Sequence, residues 1–377
     1  MSVWDELVGQ GPVVESLQDV IADPSTMTHA WLFTGPPGSG RSNAAKAFAA
    51  ALQCPNGGCG SCEACTMALG GTHPDVALVS TDGLSIGVKE ARESVRRAAL
   101  TPALGRWQIL IVEDADRLTD QAANALLKSI EEPAPKSLWF LCATAVDDVM
   151  VTVRSRCRPV LMRTPSVDAI AGLLASRDGI DPAAARAAAA ASQGHIGRAK
   201  LLATDEKARD RRRDILGIPM RVTSLAQCLV AAQDIVEEAN VRASDIADAA
   251  DAAELSDLRE SWGVESTNGR KPAGYAGALA SLTKDQDRRR KRLTRDAIDG
   301  VLIDLLAFCR DVVAEQVAPG SDLVNADVAS DVAAAARAWS TESTLRRIDA
   351  IVECRRALDA NAAPQLALER MMSGFLA

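Results

Sequence analysis

Gly35-Pro36-Pro37-Gly38-Ser39-Gly40-Arg41-Ser42 is the stretch on which the reading of this chain turns. Glycines at 35 and 40 bound a G-x-x-x-x-G loop, and a cation and a hydroxyl follow it. Such a loop curls so that successive N–H groups point inward at phosphate oxygens, and the helix behind it adds its positive end. The context fits. The apolar run His29-Ala30-Trp31-Leu32-Phe33 enters the loop as a strand, and Ser42 to Leu52 has helical composition. Gly35, Gly38, Ser39, Gly40, Arg41 and Ser42 are therefore candidate phosphate contacts, with the Ser42 hydroxyl placed to ligate Mg2+. Position 41 departs from the motif, which has lysine. A guanidinium keeps the charge but is a bulkier planar fork. The loop can still hold nucleotide; the exchange counts against hydrolysis.

A second motif repeats that message. Ile109-Leu110-Ile111-Val112 ends in Glu113-Asp114, whereas the usual order at the metal- and water-positioning end of such a strand is Asp then Glu. A carboxylate one methylene too long or too short misplaces the attacking water by more than ~1 Å, which costs on the order of 100-fold in rate. Glu113 and Asp114 join the candidate nucleotide site, and the chain's own ATPase activity is expected to be weak or absent.

Outward from these motifs the chain alternates. Asp75 to Ser80, Gln108 to Val112, Leu138 to Ala143 and Pro159 to Met162 read as further strands separated by helical stretches. This is the pattern of a parallel five-stranded α/β sheet with crossover helices, whose strands are buried on both faces and so run continuously apolar. After Pro165 the strands stop. Asp181-Pro182 followed by alanines to Ala191, with Gly194 beyond, reads as a capped helix. Residues 1–165 are expected as the α/β domain, 166–212 as a small helical lid and 213–377 as an all-α domain. The charged segment Asp205 to Asp214 is expected to connect them. In the last part an amphipathic helix is expected over Ser224 to Arg259, then a loop from Gly263 to Gly274, then a long helix from Tyr275. That helix holds Arg288-Arg289-Arg290-Lys291-Arg292, read as a solvated face balancing the acidic stretch Asp245 to Asp257 in preference to a nucleic-acid patch.

Between the phosphate-loop helix and the second strand lie Cys54, Cys59, Cys62 and Cys65, four thiols in twelve residues with Gly57, Gly58 and Gly60 among them. Closely spaced ligand pairs on flexible turns suit tetrahedral thiolate coordination, and a closed four-cysteine site is structural. Zinc is the expected ion; an iron–sulfur cluster or four free thiols are the alternatives. Cys142, Cys157, Cys228, Cys309 and Cys354 lie in apolar or helical contexts and read as core fillers. His73 reads as part of a turn rather than as a fifth ligand.

Composition sets limits. A chain of 377 residues with 47% hydrophobic and 24% charged residues is long enough for two or three packed domains. No apolar run reaches the ~18–20 residues that span a bilayer. Met1 to Gln10 lacks a basic segment followed by an apolar core, so no signal peptide is expected and the cytoplasm is the expected compartment. A net charge of −8 opposes a freestanding nucleic-acid binder.

With these residues assembled, the chain resembles the clamp-loader subunits of bacterial DNA polymerase III, an AAA+ family, and among them the delta-prime type. The resemblance rests on Leu7-Val8-Gly9-Gln10, the phosphate loop, the four cysteines and Thr72-His73-Pro74-Asp75. Further carriers are Asn124 to Pro133, Arg154-Ser155-Arg156-Cys157-Arg158 and the tail Asn361 to Glu369. It implies an AAA+ domain with an inserted zinc module, a lid and a helical collar. It also implies a pentameric ring with gamma/tau motor subunits and delta, which uses ATP to place a sliding clamp on primed DNA in the cytoplasmic replisome. In that ring the delta-prime type is a stator that offers Arg156 in trans to a neighbour's ATP. A guanidinium at a subunit boundary stabilises charge developing on the transferred phosphoryl. In the lid, Gly194-His195-Ile196-Gly197 puts Gly197 where motor subunits have an arginine, with Arg198 one step late.

Three competing readings remain. An active motor subunit of the same loader would want the lysine, the Asp-Glu order and the lid arginine. A branch-migration helicase would lack the cysteine module, and a zinc-dependent nucleic-acid binder would interleave basic and aromatic residues near the cysteines. Lys89, Arg92 and Arg96 follow Gly87 on one helix and are candidates for template phosphates.

Overall fold

The computed structural model describes residues 2–81, 83, 85–264, 272 and 274–376. Contacts divide the chain into a first unit, Met1–Thr81 with Ser85–Ala203, and a second made chiefly of Thr204–Ala377.

The first unit is built on a parallel sheet of β1 (Ala30–Thr34), β2 (Val76–Val79), β3 (Gln108–Val112), β4 (Ser137–Ala143) and β5 (Arg158–Leu161), in the order β2-β3-β4-β1-β5. Every residue of β1, β3 and β4 is buried, because helices cover both faces. The alternation of side chains then sorts the core. Trp31, Phe33, Ile109, Ile111, Leu138, Phe140 and Cys142 face one layer. Ala30, Leu32, Leu110, Val112, Trp139 and Leu141 face the other.

Helices α1 (Gly11–Ala22), α2 (Arg41–Gln53), α3 (Glu63–Leu69), α4 (Val88–Ala98), α5 (Asp120–Glu131) and α6 (Val151–Arg154) surround the sheet. The alanines of α2 let it approach closely, and its Phe48 stacks on Phe140 with ring centroids 5.0 Å apart. On the other face α4 and α5 pack against the second layer. Helices α7 (Val167–Asp178), α8 (Pro182–Ala191) and α9 (Ile196–Thr204) follow, with a small core of their own from Ile170, Leu174, Ala185, Ala189 and Ala199. As the sequence predicts, Asp181 caps α8, accepting from the N–H groups of Ala183 and Ala184 at 3.1 Å.

The second unit contains α10 (Glu206–Arg221), α11 (Leu225–Ser261), α12 (Tyr275–Val317), α13 (Ala329–Ala338), α14 (Thr341–Asp359) and α15 (Pro364–Ser373). The charged segment 205–214 is not a loop: it forms the first part of α10, so a boundary at 212 falls inside one helix. The cause is Arg212, whose side chain is buried and donates to Asp304 at 3.2 Å and Asp327 at 3.0 Å. That pairing commits the helix to the second unit. Ser224 caps α11 through the N–H of Gln227. The loop expected over 263–274 lies largely outside the described residues.

The arginine run on α12 faces α11 and is paired. Arg289 meets Glu254 at 2.6 Å, and Arg290 meets Asp251 at 2.8 Å and Asp248 at 3.0 Å. Arg288 and Arg292 pair along their own helix with Asp285 and Asp296. The reading of a charge-balanced helical face is the one this geometry matches.

Candidate functional site

The phosphate loop leaves the carboxyl end of β1. Gly38 (φ +82°) and Gly40 (φ +88°) take the left-handed conformation, and Gly40 caps α2. At Gly38 a side chain would also collide: a Cβ there would come within 2.5 Å of His195 Cα. The turn between α8 and α9 thus seats directly on the loop. From the other side Gln10, which is buried, accepts from the N–H of Arg163 and donates to the carbonyls of Arg163 (2.6 Å) and Ser39 (3.2 Å). Neither Gln10 nor His195 was legible as a support of the loop, since each lies far from it in sequence.

Because β3 and β4 run parallel to β1, their carboxyl ends reach the same edge. Val112 lies opposite Leu141 and Phe33 opposite Cys142. Glu113 and Asp114 follow β3 there, so the sequence-predicted nucleotide residues converge at one edge, where ligands of such sheets bind. Cys142 is buried beneath them. Burial pushes its thiol up to about 12, with Arg41 opposing and Glu113 reinforcing the shift.

Three buried polar atoms around the loop have no hydrogen-bond partner: Thr34 Oγ1, Ser39 Oγ and Arg41 Nη1. Orphaned donors of this kind cost about 1–3 kcal/mol each, and an oxyanion in the loop would satisfy them. The loop therefore fits a polyphosphate. The acid pair fits a metal less well, since Lys46 Nζ lies 2.9 Å from Glu113 Oε1.

The four cysteines form a compact knuckle. Cys54 ends α2, Cys62 precedes α3 and Cys65 lies within it. Gly57, Gly58 and Gly60 all have positive φ, which lets the chain double back between the ligands. The four Sγ atoms lie within 4.8 Å of one another, with Cys54 3.7 Å from Cys59 and 3.6 Å from Cys62. Tetrahedral coordination at ~2.3 Å places sulfurs ~3.8 Å apart, so this spacing suits one metal ion. Burial opposes ionisation of Cys54, but N–H groups of Cys59, Gly58 and Asn56 hold its thiol below the ordinary range. Backbone N–H groups of Ser61 and Cys62 bring Cys59 down to about 6. Both effects favour thiolate. His73 is no ligand: it is buried, and its Nδ1 accepts from the N–H of Asp75 at 3.1 Å.

Arg156 lies elsewhere. It precedes β5, and β5 runs parallel to β1 with Arg158 opposite Trp31 and Leu161 opposite Thr34. At ~3.3 Å per residue, the start of β5 is about 10 Å from the edge where the phosphate loop leaves. Arg156 is exposed, pairs with Glu131 and donates to the carbonyl of Thr152 at 2.7 Å. The adjacent Cys157 is half-buried, its Sγ directed at the carbonyl of Val153, and burial pushes its thiol up to about 12. It fastens the turn that presents the arginine.

The family model described as DNA polymerase III, delta subunit, matches residues 9–166. DNA polymerase III subunit gamma/tau of Mycobacterium tuberculosis is 35% identical over 156 residues, 40% of this chain and 27% of that protein. Subunit delta' of Bacillus subtilis is 32% identical over 186 residues, 48% of this chain and 56% of that protein. The chain thus spans from about a quarter to somewhat over half of the length of the curated relatives it matches. A DNA polymerase III gamma subunit-related protein from Thermotoga maritima superposes over 96% of this chain and 98% of that one, at 16% identity and a TM-score of 0.44. Over residues 9–166, then, this chain is similar to the delta, delta' and gamma/tau subunits of DNA polymerase III.

Proposed function

We propose that this chain is a delta-prime-type stator of a DNA polymerase III clamp loader. It lends Arg156 to the ATP of a neighbouring motor subunit while the ring loads a sliding clamp onto primed DNA. One observation supports this reading: Arg156 is exposed and precedes β5, whose start lies at the end of β1 away from the phosphate loop. In this reading residues 1–165 are the AAA+ domain, α7 to α9 its lid, and the helices from α10 onward the collar that joins a pentamer with gamma/tau and delta. The four cysteines hold a structural zinc that crosslinks α2 to α3. The chain works in the cytoplasmic replisome as part of a DNA-directed DNA polymerase without being a competent ATPase. Arg41, the Glu113-Asp114 order and Gly197 support that last point.

The gamma/tau relative at 35% identity favours a second reading, an active motor subunit. Reconstitution of the loader with Arg156→Ala separates the two. A stator variant depresses clamp- and DNA-stimulated hydrolysis although the isolated chain has no turnover of its own. An isolated chain that turns over ATP like a motor subunit favours the second reading.

A further inference from the structure

We propose that the phosphate loop binds a nucleoside triphosphate without a divalent cation, the Lys46 ammonium supplying the countercharge that magnesium supplies in a hydrolysing site. This rests on the loop being a polyphosphate site and is independent of the role given to Arg156.

The loop is equipped for an anion. Ser39 is 3% exposed and its Oγ has no partner. That oxygen lies 2.8 Å from where a Cβ on Gly35 would stand, between the two ends of the loop and beside Met162. Thr34 Oγ1 and Arg41 Nη1 are likewise buried and unpartnered. Behind them the N-terminus of the thirteen-residue α2 contributes its free N–H groups. Phosphate oxygens are acceptors for every one of these donors.

The same site is poorly arranged for Mg2+, which demands near-octahedral oxygen ligands and keeps them free of competing cations. Of the two groups expected to hold it, the Glu113 carboxylate is paired with Lys46 at 2.9 Å, the lysine and acid side chains being largely covered, 28% and 22% exposed. Lys46 is four residues beyond Ser42 on α2, hence on the same face, and its ammonium reaches the acid at the end of β3. A divalent ion ligated by Glu113 would have to displace that ammonium. With Lys46 in place, Glu113 is neutralised and no longer repels an incoming phosphate, which is the electrostatic work a metal does there.

Calorimetric titration of the full chain with ATP, with inorganic tripolyphosphate and with AMP, each in excess EDTA and in excess magnesium, tests this. ATP should bind with the same affinity, within about twofold, in both buffers, and AMP should bind far more weakly. Tripolyphosphate binding as tight as ATP would identify the phosphates alone as the ligand and keep the metal-free mode. Lys46→Ala should lose about tenfold or more in EDTA and recover with magnesium, whereas Lys46→Arg should behave as the parent. Circular dichroism of each variant guards against misfolding. The proposal is overturned by a wild-type affinity that drops about tenfold or more in EDTA, or by no binding of ATP or tripolyphosphate in either buffer. Neither result bears on Arg156, whose test is the reconstituted ring.

Discussion

Arg156 and Glu131 form an ion pair, Nη2 to Oε1 at 2.6 Å, that ties the turn before β5 to the last residue of α5. The guanidinium also donates to the Thr152 carbonyl at 2.7 Å and to Ser155 Oγ at 3.1 Å. Arg156→Ala should leave the fold and ring assembly intact, because an exposed pair contributes only about 0–1 kcal/mol. It should depress stimulated ATPase of the ring. Arginine fingers in trans are worth roughly 10³–10⁵ in rate per site, diluted in bulk by motor interfaces with their own arginines. Glu131→Gln should lower the same rate by a smaller factor with assembly unchanged. Size-exclusion chromatography followed by clamp- and DNA-stimulated hydrolysis measures both. Full activity of Arg156→Ala in an assembled ring would remove the finger.

Protein purified without added metal should carry one zinc per chain by elemental analysis, since the sulfur spacing suits a single tetrahedral ion. Cys62→Ser should lower the melting temperature without abolishing a chemical activity, as a closed site acts through folding. Absence of metal, or iron in its place, would end the zinc assignment.

Steady-state ATP turnover by the isolated chain should be negligible. Arg41→Lys alone should not restore it, because Glu113 stays paired with Lys46 and the acid order is unchanged. An Arg41→Lys variant that hydrolyses like a motor subunit would show that position 41 is the sole defect.

Asp75 is buried and accepts from the N–H groups of Ala103 (2.6 Å), Leu104 (2.8 Å) and Gly105 (2.5 Å), fixing the loop that leads into β3. Burial opposes its ionisation, but those three N–H groups outweigh it and hold the carboxyl below the ordinary range. A depressed folded-state value means stability fully present above the unfolded value, near ~3.9, and lost as pH falls through the folded one. Asp75→Asn should cost about 1–3 kcal/mol at neutral pH, a deficit that shrinks in acid. Melting curves from neutral pH down through the unfolded carboxyl range read this out; equal melting of variant and parent at neutral pH would refute it.

Asp251, 7% exposed, lies between Arg289 and Arg290 on the facing helix. Asp251→Ala should destabilise the second unit by about 1–3 kcal/mol, as each arginine keeps one other carboxylate. Replacing Arg289 and Arg290 together should destabilise it too, without weakening DNA binding by the assembled loader. A selective loss of DNA affinity in a folded variant would return the arginine run to nucleic acid.

Much of this protein was legible along the chain. The five apolar runs became five strands, Asp181-Pro182 opened α8, Ser224 capped α11 and the cysteine spacing marked the four-thiol knuckle. These features depend on side-chain period, caps and turn chemistry, which act over a few residues and are written in local order. The relationships that decide function are of another kind. Lys46 reaches Glu113, Gln10 braces Ser39 and Arg163, His195 seats on Gly38, and Arg156 pairs with Glu131. Each joins residues far apart in sequence, and the Lys46–Glu113 pair depends on β3 ending at the same edge as β1, in the strand order β2-β3-β4-β1-β5. Strand order is set by how whole layers pack, with the central strands buried on both faces. No local pattern carries that information, so only the tertiary structure decided which charges meet.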